Sequence, residues 1–379
     1  MTIRSKNMKR GNHVRSFIKS ATLLVAGGVF LAACSSGGSD AGTATTDPTQ
    51  NTAASEAPAP DADPIRVALM TPGTANDGSW GQAVSEGTRA AVEAIGGELT
   101  ISEDLNDAAD YEQVGNAFGV EGYDLVISAN ASMTDVTNRL SAKYKDTKWG
   151  QIGVIDAPAE NEQSRLPVFQ EGTFIAGFLA GKTTKTNVLG AIGGFEFPVL
   201  TSEMEGFALG ARYANPDVKI IRNYINTWTD SAIAGAASEA MKAEGADIIF
   251  SATDQATQGI FAVMDETTDN YVMAQYLDKS SQSPSVVLLS VLYGLGEICA
   301  GFVDQVATNT WTAGSKTLTF GEGISIALNP GLESVMGSET LAEAAALEEK
   351  IASGALKIPG LDVLGVPNSG DQVDPTTLG

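Results

Sequence analysis

Histidine is almost absent: the 379 residues contain one, His13. It lies in a basic N-terminal segment expected to be removed, which leaves the rest of the chain without an imidazole. Ser-His-Asp and Cys-His nucleophilic mechanisms, imidazole acid–base chemistry and most zinc or iron sites are thereby excluded. Cysteine is nearly as scarce, with only Cys34 and Cys299. Cys299 stands in the apolar stretch GLGEICAGF and reads as a buried, inert thiol. Cys34 is expected to be chemically occupied, so no disulfide joins the two. Beyond the N-terminus no apolar run is long enough to span a bilayer. Positive charge is short as well: 23 basic against 46 acidic residues give a net charge of −23. A chain this acidic repels nucleic-acid phosphates and does not adhere by charge to anionic lipid. No nucleic-acid partner is expected, and membrane attachment must be covalent.

What is present begins with an address. The first 33 residues carry Arg4, Lys6, Lys9, Arg10, Arg15 and Lys19 and no acidic residue, so their removal would take the net charge to −29. Residues 1–20 are basic, and ATLLVAGGVFLAA (21–33) is a short apolar core ending in small residues. That pattern is a secretory signal, too short for a stop-transfer helix. Leu31-Ala32-Ala33-Cys34 resembles the lipobox of bacterial lipoprotein precursors, which implies a lipid on Cys34 and the bilayer as a partner; the alternative is a cysteine that merely follows an ordinary signal. Acyl chains contribute about 0.8 kcal/mol per buried CH₂, enough in combination to hold a domain at a membrane. Residues 34–63 contain almost nothing apolar and read as a flexible tether. Random-coil statistics give it a reach of about 30 Å.

After Asp63 strands and helices alternate. Ile65–Met70, Gly97–Ile101, Tyr123–Ala129 and Trp149–Ile155 read as strands, with helices over Ser79–Ile95, Tyr111–Gly119 and around Asp135–Lys145. A second set begins at Phe174–Ala180 and runs to the strand Tyr271–Tyr276. The pattern predicts parallel βαβ units with helices on both sheet faces, arranged as two lobes. Lobe 1 is expected to comprise 64–157 plus about 287–313, to which the helix near Gly294–Thr308 returns the chain. Lobe 2 is expected to comprise 158–286 plus about 314–330. Residues 331–379 form an acidic helix near Ser338–Ser353 and a Pro/Gly/Asp-rich tail that reads as loose. Ligands of open parallel sheets bind beyond the carboxyl ends of the strands, so the loops there are the candidates.

Five segments in order resemble the basic membrane protein family, which includes purine nucleoside receptor lipoproteins. They are VALMTPGTANDGSWGQAVSEGTRAA, FQEGTFIAGFLAG, LGAIGGFEFPVLTSEMEGFALGARYANPDVKI, GADIIFSATDQATQGIF and KIASGALKIP, together spanning roughly Ile65 to Pro359. The resemblance implies an α/β type I periplasmic-binding fold, two doubly wound parallel-sheet lobes joined by a hinge. It also implies a small-molecule ligand, an ABC permease as partner, and no cofactor or metal.

Candidate ligand residues follow from strand ends and from the resemblance. Asn76 and Asp77 precede a helix, where they either cap it or bond ligand. Trp80 is either lobe core or one face of an aromatic clamp, and Trp228 matches a second family aromatic; rings from opposite lobes would sandwich a flat heterocycle. Asn130 and Asp254 end strands, and Asp254 stands where the family usually has glycine. Tyr276 and Tyr293 occupy positions where the resemblance expects an acid and a lysine, and the first loop, with Pro72, is one residue shorter. These departures open the ligand to aromatic or polar metabolites related to purine nucleosides. An enzyme is the weaker alternative: there is no G-x-G-x-x-G or Walker loop, leaving only carboxylates such as Asp77, Asp254 or Glu196. A binding module reporting to a membrane receptor is the other alternative. A DNA-binding regulator is disfavoured, since no helix-turn-helix precedes the domain.

Overall fold

A computed structural model describes residues 63–105, 107–153 and 156–378. The predicted signal, Cys34 and the tether before Asp63 lie outside the described residues. In chain order the first strands and helices are β1 (Arg66–Met70), α1 (Trp80–Ala94), β2 (Glu98–Ser102), α2 (Ala108–Glu121), β3 (Leu125–Ser128), α3 (Thr134–Lys143), β4 (Lys148–Ile152) and β5 (Glu162–Pro167). There follow α4 (Phe169–Thr183), β6 (Val188–Gly193), α5 (Pro198–Ala214), β7 (Lys219–Tyr224), α6 (Ser231–Ala243), β8 (Ile248–Ala252), α7 (Thr257–Asp265), β9 (Tyr271–Gln275) and β10 (Val287–Leu292). The chain ends with α8 (Leu295–Ala307), β11 (Gly314–Leu318), β12 (Ser325–Leu328), α9 (Glu333–Met336), α10 (Ser338–Ala352) and α11 (Leu361–Leu364).

Two six-stranded sheets result, ordered β11-β5-β4-β3-β1-β2 and β12-β10-β9-β8-β6-β7. All pairings are parallel except β10 with β12. Central strands are covered on both faces and read as unbroken apolar runs: LVIS in β3 and IIFSA in β8 are buried throughout. The edge strands β2 and β7 are half-exposed and correspondingly polar, as ELTIS and KIIRNY. Helix starts are marked by capping carboxylates: Asp107 accepts from the amides of Ala109 and Asp110, and Asp230 from those of Ala232 and Ile233. This is the type I periplasmic-binding architecture expected from the sequence.

The apolar interior has three parts. Ala68, Met70 and Trp149 pack under α2 and α3, and Ile249, Phe261 and Met264 pack with α6 and α7. The third part continues from one lobe to the other through Phe169, Tyr293 and Leu295. Within it α4 and α5 cross at glycines: a Cβ on Gly177 would stand 2.0 Å from the Phe207 carbonyl oxygen, and one on Gly210 1.9 Å from that of Phe174. Any side chain there would force the helices apart.

The expected lobe boundaries need correction. β5, predicted within lobe 2, pairs with β4 in the first sheet, and β10, predicted in lobe 1, pairs with β9 in the second. β11 joins β5 and β12 joins β10, so the segment 314–330 divides between lobes instead of belonging to lobe 2. Helix α8 does return to the first lobe, where it packs on α1. The chain therefore crosses three times: at Val168, at Tyr293–Gly294, and between β11 and β12. For β5 and β11 the cause is composition, because EQSRLP and GSKTL lack the apolar runs that mark buried strands; VLLSVL of β10 is apolar, and there only long-range pairing decides the sheet.

The tail is not loose. Leu364 is fully buried, and Arg212 donates to the carbonyls of Gly370 (2.7 Å) and Val373 (3.2 Å). Arg222 bridges Asp371 and the buried Glu205, which also accepts the amides of Asn368 and Gly370. Charge and backbone hydrogen bonds hold this segment, so its polar composition concealed its order.

Candidate functional site

The loop after β1 is organised by Asp77. Its Oδ1 accepts from the amides of Ser79 (2.7 Å) and Gln82 (3.0 Å), and its Oδ2 from that of Gly81 (2.9 Å). Both oxygens are thus committed to the start of α1, where the helix dipole also favours a carboxylate. Of the two roles expected for Asp77, the structure places it in the capping one. Asn76 is exposed beside it and does not reach the cavity described below.

Trp80, the first residue of α1, turns inward. Its Nε1 donates to the Ala129 carbonyl at 2.7 Å, which fixes the ring at the end of β3. The ring tilts against Phe169 (centroids 6.1 Å apart) and meets Tyr276 edge-on at 5.3 Å. Asn130, next to Ala129, accepts from the amide and hydroxyl of Ser132, so its carbonyl oxygen tightens a turn while the residue still borders the cavity.

The second lobe contributes the opposite wall. Trp228 lies across Gly194 at the end of β6, so close that a Cβ there would stand 2.2 Å from the indole. Phe195 and Phe197 flank that indole at 5.1 and 6.4 Å. Asp254 and Tyr276 both adopt left-handed backbone, with φ of +46° and +75°. This region favours glycine, and side chains held in it cluster at functional sites. Glu203, in the second turn of α5, accepts from Gln275 Nε2 (2.7 Å) and Tyr276 Oη (3.0 Å).

These groups enclose a cavity of about 30 Å³ between the lobes. Five of the predicted ligand residues line it: Trp80, Asn130, Trp228, Asp254 and Tyr276. Tyr293 does not. It is fully buried one layer behind, with its hydroxyl on Gln275 Oε1 at 3.1 Å and its ring against Phe169 at 4.7 Å. A tyrosine there extends the interior where a lysine would have needed an acid. A larger groove of about 780 Å³ runs beside Gly87 and Gly296. Small apolar residues and the exposed acids Glu86, Asp278 and Glu297 line it, so the smaller, aromatic gap is the better candidate site.

Buried charge ties the lobes together at the rim. Lys279, in the loop after β9, donates to Ser79 Oγ of the first lobe at 3.0 Å. Ser79 in turn donates to Asp254 Oδ1 at 2.9 Å. A further bond crosses from Gln282 Nε2 to the Gly78 carbonyl at 3.3 Å. Burial pushes the Lys279 ammonium down to about 8, against the pull of Asp254 and Asp77. Asp254 as a residue keeps some exposure, but its carboxyl is enclosed between the lobes; burial, with Asp77 adding repulsion, raises it to about 7. Burial lifts Glu203 further, to about 8. Among the described residues no cluster of His, Cys, Asp or Glu is arranged to hold a metal.

Sequence reasoning missed Ser79, Lys279, Glu203, Phe169 and Phe197. Lys279 sits in LDKSSQSPS, whose polarity reads as solvated loop, and Glu203 sits on a helix whose next carboxylate, Glu205, is structural. Only the run FEFP carried a signal, aromatic residues directly after a strand.

The family model of PnrA-like ABC transporter substrate-binding proteins matches residues 65–362. Basic membrane protein D of Borreliella burgdorferi is 29% identical over 194 residues, 50% of this chain and 57% of its own length. The ABC transporter nucleoside-binding protein BmpA of Lactococcus lactis is 22% identical, over 66% of this chain and 77% of its own. An ABC transporter solute-binding protein from Aeropyrum pernix superposes with a TM-score of 0.71 at 19% identity, covering 78% of this chain and 94% of its own, a likeness of fold. With two parallel-sheet lobes around an aromatic gap and a family match over nearly all of the folded part, the chain belongs to the PnrA-like substrate-binding proteins of ABC transporters.

Proposed function

We propose that this chain is a lipid-anchored receptor outside the cytoplasm that encloses a small, flat, nucleoside-like solute between its lobes and delivers it to an ABC permease. The observation that carries the reading is the pairing of rings: Trp80 from the first lobe faces a gap also lined by Trp228 and Tyr276 from the second. Aromatic faces on two sides suit a planar heterocycle, and polar groups at the rim orient it. The nucleoside-binding relative supports the same ligand class.

The free space of about 30 Å³ is close to one water's share of liquid volume, whereas ligand pockets run to roughly 300–1,000 Å³. Entry therefore requires the lobes to part about the three crossings. A ligand bridging both walls then favours the closed arrangement by its differential affinity for it. Closure excludes water and offers the permease a distinct shape. The lipid on Cys34 and a tether reaching about 30 Å keep the domain near the membrane.

Titration of the full chain with free bases, nucleosides and aromatic vitamins, followed by tryptophan fluorescence and X-ray scattering, tests this. Saturable quenching with a fall in radius of gyration is expected for at least one. Silence in both signals across the panel counts against the reading.

A further inference from the structure

Two carboxyls, Asp254 and Glu203, line the gap between the lobes, with Asp77 and the Lys279 ammonium beside it, and their partners differ. Asp77 is satisfied by the backbone amides of Ser79, Gly81 and Gln82 at the start of α1. Asp254 faces Lys279 through Ser79. Among the described residues Glu203 has no cation. It is 2% exposed, its Oε2 receives only the neutral donors Gln275 and Tyr276, and its Oε1 meets no donor among the described residues although the residue lines the cavity.

Around this carboxyl stand the rings of Trp80, Phe169, Phe197, Trp228 and Tyr276. Aromatic faces carry negative potential, so a ring box attracts positive charge, most strongly when water is excluded. An uncompensated carboxyl at its wall adds to the same preference. Phosphorylated or otherwise anionic solutes find no free cation here among the described residues, because the one nearby ammonium is already engaged.

We infer that the gap selects a flat heterocycle bearing a delocalised positive charge, such as a cationic nucleoside, with Glu203 as its counter-ion and specificity-determining residue. This rests on the reading of the gap as the ligand site. Without ligand, burial keeps Glu203 protonated near neutral pH, since its carboxyl titrates at about 8. An arriving cation stabilises the carboxylate, and the proton leaves to solvent. Binding then releases a proton at pH 7, and affinity rises with pH.

Calorimetry on the full chain with 1-methyladenosine, a cation at pH 7, and its neutral isomer N6-methyladenosine decides the matter. Nicotinamide riboside and its neutral dihydro form give a second pair. The cation of at least one pair is expected to bind about tenfold tighter than its neutral partner. Its heat should differ between buffers of unlike ionisation enthalpy, which reports the released proton on the unmodified protein. The isosteric Glu203→Gln should fold as the parent does and lose both the preference and the release. Neutral members binding as tightly as the cations, or a preference that survives in Glu203→Gln, overturns the inference while leaving the site in place. If no member of either pair binds, and the wider panel is silent too, the site reading fails and takes this inference with it.

Discussion

Lys279 Nζ lies 3.0 Å from Ser79 Oγ, an ammonium of the second lobe donating to the hydroxyl that begins the first helix of the other. Through that hydroxyl it faces Asp254 of its own lobe, so a serine of the first lobe bridges a buried charge pair of the second. Removing one partner of such a pair leaves the other uncompensated, at about 3–5 kcal/mol when no relaxation is possible. Here relaxation is possible, because parting the lobes returns Asp254 to water. Lys279→Met is therefore expected to shift the ligand-free protein further toward the open form, seen as a radius of gyration larger than the parent's in scattering. Adding Asp254→Asn should return it toward the parent's value, and a double-mutant cycle should give a coupling of about 1 kcal/mol or more. Additive effects would mean that Lys279 and Asp254 are not coupled through Ser79.

The buried acids set a pH dependence. Glu203 rises from an ordinary 4.5 to about 8, and Glu171 from 4.5 to about 7 by burial, despite accepting the Phe320 amide at 2.9 Å. Asp254 rises from 3.8 to about 7. A carboxyl whose folded value lies above its unfolded one binds more protons when folded. Its stabilising share is complete below the unfolded value and is lost as pH climbs through the folded one. The exposed acids Asp269, Glu322 and Asp374 shift down and oppose this, but solvent screening keeps their share small. The ligand-free protein should lose stability between pH 5 and 8, read from urea midpoints. A midpoint that rises steadily over that interval would contradict the burial of these carboxyls.

The two indoles separate by their surroundings. Trp80 is 9% exposed and hydrogen-bonded to Ala129, so Trp80→Ala should cost about 3–5 kcal/mol of stability as well as binding. Trp228 is only partly buried and rests on Gly194, Phe195 and Phe197. Trp228→Ala should leave stability within about 1 kcal/mol while weakening ligand by roughly tenfold, the loss of one stacking face. Thermal unfolding beside calorimetric titration distinguishes them; unchanged affinity in Trp228→Ala would remove this ring from the site.

Asp77→Ala removes the acceptor of three amides at the head of α1 and should destabilise by about 1–2 kcal/mol. Ligand affinity should stay within a few-fold. A large loss of affinity with intact stability would reassign Asp77 from the helix to the ligand.

Deleting residues 361–379 strips Glu205 of the Asn368 and Gly370 amides and Arg222 of its Asp371 partner. A buried carboxylate with fewer donors costs a few kcal/mol, and the shortened chain should melt correspondingly earlier. An unchanged melting temperature would return the tail to the loose state its composition suggests.

Much of the fold was legible because local periodicity reports burial directly. IRVALM and YDLVISA read as strands, and the structure buries β1 and β3 almost throughout. Asn130 and Asp254 were legible as strand-end residues, and Trp80, Trp228 and Tyr276 through the family resemblance; all five line the candidate gap. Tyr293 misled because its position at the end of a strand is the same whether the side chain turns to the gap or to the interior. Glu203 was invisible because a carboxylate on an amphipathic helix looks alike whether it meets water or an aromatic wall.

The sequence alone determined the alternation of strands and helices, the lack of imidazole chemistry in the folded part, and the loops from which a site would be built, since each depends on neighbours within a few turns of chain. The tertiary structure alone decided which sheet takes β5, β10, β11 and β12, and that Lys279 meets a serine 200 residues away. Strand pairing at an edge and the choice of partner for a buried charge are settled by long-range packing and by the cost of leaving a polar group unpaired. Neither leaves a periodic trace in the amino-acid order.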